Sequence, residues 1–278
     1  MSEAENATMS EAVNVQMSDA ARVGTSDPGN VLMRVENVGR SFGGFVALAG
    51  ISAGFERNKV TAVIGPNGAG KSTFFNVLSG VLAPSTGRIT FKGQDLTGQK
   101  QHRFAHLGIA RSYQITNLFP QLTVHENVRV AAQALATRYD IFSHRDRYPL
   151  LSAKADAALA EVGLHGKRHR AARDLAHGEQ RALEIAIALV ANPELLLLDE
   201  PTAGMGPEET KEMVALLERL AAERTILLVE HKMKMILGLS DRILVLHHGR
   251  LIADGTPAAV QTDPEVRRVY LGQNDGYA

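Results

Sequence analysis

The sequence predicts an α/β fold built on a parallel sheet, and three observations carry that expectation. Short apolar runs recur without polar alternation, at Val60–Ile64, Leu195-Leu196-Leu197-Leu198, Thr225–Val229 and Ile243-Leu244-Val245-Leu246. Strands buried on both faces of a parallel sheet have this composition. A helical pattern falls between two of these runs, with Met213, Leu216, Leu217 and Leu220 on one stripe. The run at Val60–Ile64 leads into a glycine-rich loop, after which Phe74, Phe75, Leu78 and Val81 recur at helical spacing.

Taken in order, residues 1 to about 30 differ from the rest. They hold no aromatic residue and carry Glu3, Glu5, Glu11, Asp19 and Asp27 against Arg22 alone. Such a segment buries too little apolar area to offset its ordering entropy, so a disordered acidic tail is expected, with a short docking helix as the alternative. Residues 31–35 and 51–55 read as early strands, and residues 88–91 as another. Residues 124–173 are helical in pattern with no strand signal, and read as a helical insertion within the α/β core. In the later helix Pro207 suits the first turn, and Glu208 and Glu209 complement its dipole. No internal repeat is visible.

Composition narrows the function classes. The 278 residues suffice for a large core in one domain or two. Hydrophobic residues make up 45% and charged residues 22%, ordinary for a globular protein. The formal net charge is zero, so bulk charge points to no polyanion partner. There is no cysteine, which excludes disulfides and thiolate metal sites and fits a reducing cytoplasm. No apolar run approaches the roughly 20 residues that span a bilayer, and no secretory leader opens the chain. Service to a membrane would then run from the cytoplasmic side through another chain.

The chemistry begins at Gly65-Pro66-Asn67-Gly68-Ala69-Gly70-Lys71-Ser72-Thr73, which fits the phosphate-loop pattern G-x-x-x-x-G-K-[ST]. The glycines let backbone N–H groups close around phosphate oxygens, and the following helix adds the positive end of its dipole. Lys71 is placed for the β- and γ-phosphates, and the Ser72 hydroxyl for Mg²⁺. The run at 195–198 ends in Asp199-Glu200. A buried strand ending in carboxylates delivers charge to the sheet edge, where α/β folds bind ligands. Asp199 would serve the Mg²⁺ site and Glu200 would polarise the attacking water as general base. His231 follows the strand Thr225–Val229 and Glu230, a place from which an imidazole reaches a γ-phosphate.

With these residues in view, the chain from Val31 to Gly272 resembles the ATP-binding cassette ATPases, adding four further elements in the family's order. Phe42, in Arg40-Ser41-Phe42-Gly43-Gly44, matches the aromatic that stacks on adenine. Gln114, in Ala110-Arg111-Ser112-Tyr113-Gln114, matches the glutamine that senses Mg²⁺ and the nucleophilic water. Leu175-Ala176-His177-Gly178-Glu179-Gln180-Arg181 matches the signature segment, and His231 the switch histidine. The signature separates this family from kinases and GTPases. Gly178 would begin a helix containing Leu183, Ile187 and Val190, whose N-terminus faces an anion. In the family that anion is the γ-phosphate held by a second cassette.

The resemblance implies a P-loop NTPase core at residues 31–278, with an N-terminal antiparallel β subdomain and a helical subdomain at about 117–175. It implies ATP and Mg²⁺ as ligands. The partners would be integral-membrane permeases, a second cassette in a homo- or heterodimer, and a substrate-binding protein engaged through the permease. The place would be the cytoplasmic face of the cell membrane. The sequence departs from the family at Ala176, where a serine is usual, at Glu179, where glutamine is commoner, and at Gly206, where many members carry aspartate. Lys71, Asp199 and Glu200 are intact, so hydrolysis is expected.

Within the family the chain is most similar to the branched-chain amino acid (Liv-type) importers. The stretches that carry this are Phe42-Gly43-Gly44-Phe45-Val46-Ala47-Leu48, Leu118-Phe119-Pro120, Glu126-Asn127-Val128, Gly255-Thr256-Pro257 and Val269-Tyr270-Leu271-Gly272. A lipopolysaccharide-export ATPase and a soluble, non-transport cassette protein remain as alternatives. The basic run Lys167-Arg168-His169-Arg170 reads as a solvated face rather than a nucleic-acid site, given the zero net charge. Phe119, in the apolar loop after Gln114, is the expected anchor for a permease helix.

Overall fold

The computed structural model describes residues 29–112, 118–136 and 149–271. The expected acidic tail therefore lies almost wholly outside the described residues, and so does Gln114.

Two sheets organise the chain. The first has the order β2-β1-β4-β5 and pairs β1 (Val31–Phe42), β2 (Phe45–Glu56), β4 (Thr86–Phe91) and the short β5 (Gln94–Asp95) antiparallel. The second has the order β10-β9-β3-β8-β7-β6. In it β3 (Val60–Ile64), β6 (Ile109–Arg111), β7 (Leu195–Asp199), β8 (Thr225–Val229) and β9 (Arg242–His247) are parallel, and β10 (Arg250–Gly255) is the antiparallel edge.

Every residue of β3, β7 and β8 is buried. Alternate side chains of these runs serve two cores. Ala62, Ile64, Leu196, Leu198, Ile226 and Leu228 join the helices on one face. Val63, Leu195, Leu197, Leu227 and Val229 join Phe74, Phe75 and the antiparallel sheet on the other. This is why the runs lack alternation: both faces are covered, and each fully buried side chain contributes roughly 1.5–3 kcal/mol.

The helices are α1 (Lys71–Leu78), α2 (Gln101–Leu107), α3 (Val124–Ala136), α4 (Pro149–Glu161), α5 (His177–Leu189), α6 (Pro207–Ala221), α7 (Met233–Leu239), α8 (Pro257–Thr262) and α9 (Pro264–Val266). Helix α6 buries Met213, Leu216, Leu217 and Leu220, the stripe read from sequence. Two expectations need correction. Helix α1 stops at Leu78, and Val81 lies beyond it, 42% exposed, because the chain turns at Gly80 with φ 72°. Val190 caps α5 rather than lying within it.

Between β6 and β7 the described chain holds α3, α4 and α5, joined by turns and a neck, with no strand. Thr123 and Ala171 form an isolated antiparallel bridge, and Val124 N–H donates to the Arg170 carbonyl at 2.9 Å. At that neck a reciprocal capping box opens α3. Glu126 accepts from the Thr123 N–H at 2.9 Å, and Thr123 Oγ1 accepts from the Glu126 N–H at 3.1 Å.

Candidate functional site

The phosphate loop leaves β3 and ends in α1, whose first residue is Lys71. Two of its glycines are required by close approach. A Cβ on Gly65 (φ 148°) would lie 2.1 Å from the Leu246 carbonyl oxygen, and one on Gly70 (φ 101°) would lie 2.7 Å from that of Ala47. The turn between β9 and β10 supports the loop from behind. Gly249 N–H donates to Ala69 O at 2.9 Å while Gly249 O accepts from Ala49 N–H at 2.8 Å. Lys71 folds back, with Nζ donating to Gly65 O at 2.6 Å and Pro66 O at 3.0 Å. Its burial pulls the ammonium below its ordinary pKa, against the opposing pull of Glu200 and Asp199.

Asp199 ends β7 and is buried. Arg111, on the neighbouring strand β6, pairs with it at 3.1 Å, both side chains being less than a tenth exposed. The same guanidinium donates to Asn76 Oδ1 at 2.6 Å and Ser79 Oγ at 3.0 Å, so it fastens Asp199 to α1 and the end of that helix. The next residue, Glu200, takes φ 49°, a conformation that costs a non-glycine residue on the order of 1 kcal/mol or more. Its N–H donates to Val229 O at 2.9 Å, which holds the two strand ends side by side. His231 follows β8 with its side chain 61% exposed. Gly65, Pro66, Asn67, Lys71, Glu200 and His231 line one cavity of about 800 Å³. Ser72 opens α1 beside Lys71, and Thr73 follows on the same turn.

The signature residues stand apart. Gly178 and Glu179 line a different pocket of about 330 Å³, with α6 and the end of α4 as its walls. Helix α5 opens at Ala176, whose N–H donates to Glu179 Oε2 at 3.1 Å. Ala176 has no side-chain oxygen for the reciprocal bond. Burial works against the Glu179 charge, but Lys167, the Ala176 N–H and Arg170 outweigh it and hold the carboxyl below its usual range. Lys167 of the basic run is thus an ion-pair partner of the signature segment. The Gly178 N–H donates to Glu209 Oε1 at 3.0 Å and the Gly206 N–H to Glu209 Oε2 at 3.2 Å. One carboxylate thereby serves two helix N-termini, those of α5 and α6. His177 packs at Gly204, a Cβ there lying 3.2 Å from its ring.

Phe42 sits at the tip of the β1–β2 hairpin, 44% exposed, under the Arg40 guanidinium at 4.7 Å. It does not line the Lys71 cavity. Phe119 is 53% exposed, and its backbone is held on both sides by the buried Asn127, which accepts from Phe119 N–H at 2.8 Å and donates to Phe119 O at 3.1 Å. Arg111 and Gly249 had no assigned role in the sequence, Glu209 was read only as a first-turn acid of its own helix, and Lys167 only as part of a solvated face. Arg111, Gly249 and Lys167 meet partners at least 12 residues away, and so does Glu209 at Gly178; the Glu209 bond to Gly206 and the T-x-x-E box at Thr123 are local.

Comparison with known proteins decides the family. A family model described as "ABC transporter" matches residues 48–203. The chain belongs to the ABC transporter family. A second model, described as "Branched-chain amino acid ATP-binding cassette transporter", matches residues 250–276. The high-affinity branched-chain amino acid transport ATP-binding protein LivG of Salmonella typhimurium is 39% identical over 251 residues, 87% of this chain and 98% of that protein. BraF of Pseudomonas aeruginosa, with the same description, is 38% identical over 250 residues, 87% and 98% of the two chains. The ADP conformation of an ATP-binding cassette of an ABC transporter superposes with a TM-score of 0.78 at 30% identity, covering 87% of this chain and 99% of that one. A nucleotide-free cassette superposes at 0.77 and 31%, covering 86% and 98%. This ABC chain is an ATPase that binds nucleotide and couples its hydrolysis to transport. Among the described residues, no helix is long and apolar enough to cross a membrane.

Proposed function

We propose that this chain is the ATP-hydrolysing subunit of an ABC importer for branched-chain or related amino acids, acting through separate permeases at the cytoplasmic face of the membrane. The match of residues 250–276 supports this substrate class over lipopolysaccharide export, together with the relatives' near-complete coverage. A core at residues 31–278 with a helical subdomain at about 117–175 fits the neck at Thr123 and Ala171.

Within this reading the phosphate-loop N–H groups and Lys71 hold the β- and γ-phosphates. Lys71 gives up its bonds to Gly65 O and Pro66 O to do so. Glu200 takes a proton from the attacking water, and His231 donates to the γ-phosphate. Phe42 stacks on the adenine, its ring already partnered by Arg40. No group of three or more His, Asp or Glu among the described residues could hold a metal alone. A Mg²⁺ site in such an enzyme draws on few protein oxygens together with those of the substrate phosphates. Ser72, Asp199 and Gln114 are the residues that would hold the ion. When bound, Mg²⁺ neutralises charge on the phosphate oxygens.

Of the signature residues Ala176, His177, Gly178 and Glu179, the last two line a separate pocket. All four would serve the ATP of a second cassette, in a head-to-tail homo- or heterodimer. A binding protein would act through the permeases, and no nucleic acid is involved. The test is reconstitution with its permeases and binding protein in proteoliposomes. ATP-dependent uptake of labelled leucine, isoleucine or valine is expected. Hydrolysis without uptake of any of them rejects the substrate class, and stimulation by lipopolysaccharide points to export.

A further inference from the structure

Glu230 and Lys232 have no part in the mechanism above, yet they bond together the two loops that carry its acid–base groups. Glu230 is 1% exposed. A carboxylate is buried at this depth only when its oxygens are satisfied. Here each oxygen serves a different loop. Oε1 accepts from Thr202, through the N–H at 3.0 Å and through the hydroxyl. Oε2 accepts from the N–H groups of His231 at 3.0 Å and Lys232 at 3.4 Å. Thr202 is two residues past Glu200, on the turn leaving β7. His231 and Lys232 leave β8.

Lys232 closes the same junction from the other side. Its ammonium has three protons. They go to Thr202 O at 3.0 Å, Met205 O at 3.3 Å and Thr210 Oγ1 at 3.0 Å. Thr202 is therefore held at its N–H by Glu230 and at its carbonyl by Lys232. The junction gains stiffness where Glu200 sits in a left-handed conformation and where the His231 ring is exposed.

We infer that Glu230 and Lys232 form a charged clasp of positioning residues that fixes Glu200 and His231 relative to one another. The inference rests on the reading of Glu200 and His231 given above. Glu230 and Lys232 also line the Lys71 cavity, but the bonds of the clasp go to Thr202, His231, Met205 and Thr210 and not to the phosphate loop, so its loss should fall on turnover more than on nucleotide affinity. A displacement of about 1 Å in a reacting group can cost on the order of a hundredfold in rate.

The experiment measures kcat in the assembled transporter and, on the full chain, affinity for a fluorescent ATP analogue and melting temperature. Lys232→Met keeps the stem and removes the three bonds; kcat should fall about tenfold with affinity within about twofold of wild type. Glu230→Gln turns an amide donor toward the N–H groups of His231 and Lys232 or toward Thr202, and should cost more. Thr210→Val disturbs no buried charge, so it folds; it should lower kcat by about two- to threefold. The double variant Glu230→Gln with Lys232→Met should lose less than the product of the two single losses. Wild-type kcat in both Lys232→Met and Thr210→Val overturns the clasp. So does a parallel fall of affinity and melting temperature in all three single variants, which marks a role in folding only. Glu200→Gln is run alongside: if it turns over normally, the general-base reading fails and the clasp with it. Normal Lys232→Met and Thr210→Val beside an inactive Glu200→Gln overturn the clasp alone.

Discussion

In the function proposed above, the phosphate-loop end of the sheet and the N-terminus of α5 both meet phosphate, and they are built in opposite ways. At the sheet, Lys71, Glu200 and His231 line one cavity, and Asp199 is buried in an ion pair with Arg111. Strands packed on both faces fix the backbone from which these groups project. At α5, Gly178 and Glu179 line another pocket, and side chains at least partly open to solvent, Lys167 and Glu209, hold them. One end gathers its groups within this chain. The other, in the proposed head-to-tail dimer, would meet the ATP of a second molecule.

The largest effect should come from the sheet end. Glu200→Gln should keep ATP binding and lose turnover by about two orders of magnitude or more, measured in the assembled transporter. Near-wild-type steady-state hydrolysis would break the contrast at its firmest point. The same protein should dimerise in ATP on analytical ultracentrifugation, alone or with a second cassette subunit. A monomer under all these conditions removes the second half of the comparison.

Next in size is the buried pair. Arg111→Met leaves Asp199 buried without its cation and should cost about 3 kcal/mol in denaturant unfolding. A change below about 0.5 kcal/mol would mean that water reaches Asp199 more freely than its burial implies.

Phe119 tests the coupling assignment. It is exposed while Asn127 secures its backbone, so Phe119→Ala should leave folding and ATP affinity unchanged and lower transport severalfold relative to hydrolysis. An unfolded variant would make Phe119 a core residue, and unchanged transport would remove it from the permease contact.

The smallest effects belong to α5. Ala176→Ser supplies the missing cap oxygen and should stabilise the chain by about 0.5–1 kcal/mol, lowering the ATP concentration needed for dimerisation. Glu209 is held below its ordinary pKa of 4.5 by the N–H groups of Gly178 and Gly206. Its stabilisation is therefore fully present above that value and is lost as pH falls through the depressed native one. Glu209→Ala should melt slightly below wild type at neutral pH, with the gap closing in acid. A gap independent of pH would assign the loss to packing.

The sequence by itself determined what is encoded locally. The glycine loop follows a strand, the β7 and β8 runs are apolar throughout, and α6 carries its proline, its first-turn acids and its stripe within 14 residues, 207–220. Each of these depends on neighbours in the chain, and each was legible. The candidate residues Lys71, Glu200 and His231 were legible for the same reason, since each follows the end of a buried strand. Only the tertiary structure decided which groups support them. Arg111 meets Asp199 across 88 residues, and Glu230 meets Thr202 across 28. Gly249 meets the phosphate loop only because β9 runs beside β3. Glu209 joins Gly178 because α5 and α6 abut. Contacts of this kind depend on sheet order and helix packing, which no local pattern states. The residues that make them, an arginine, two glutamates and a glycine, occur throughout the chain with other roles.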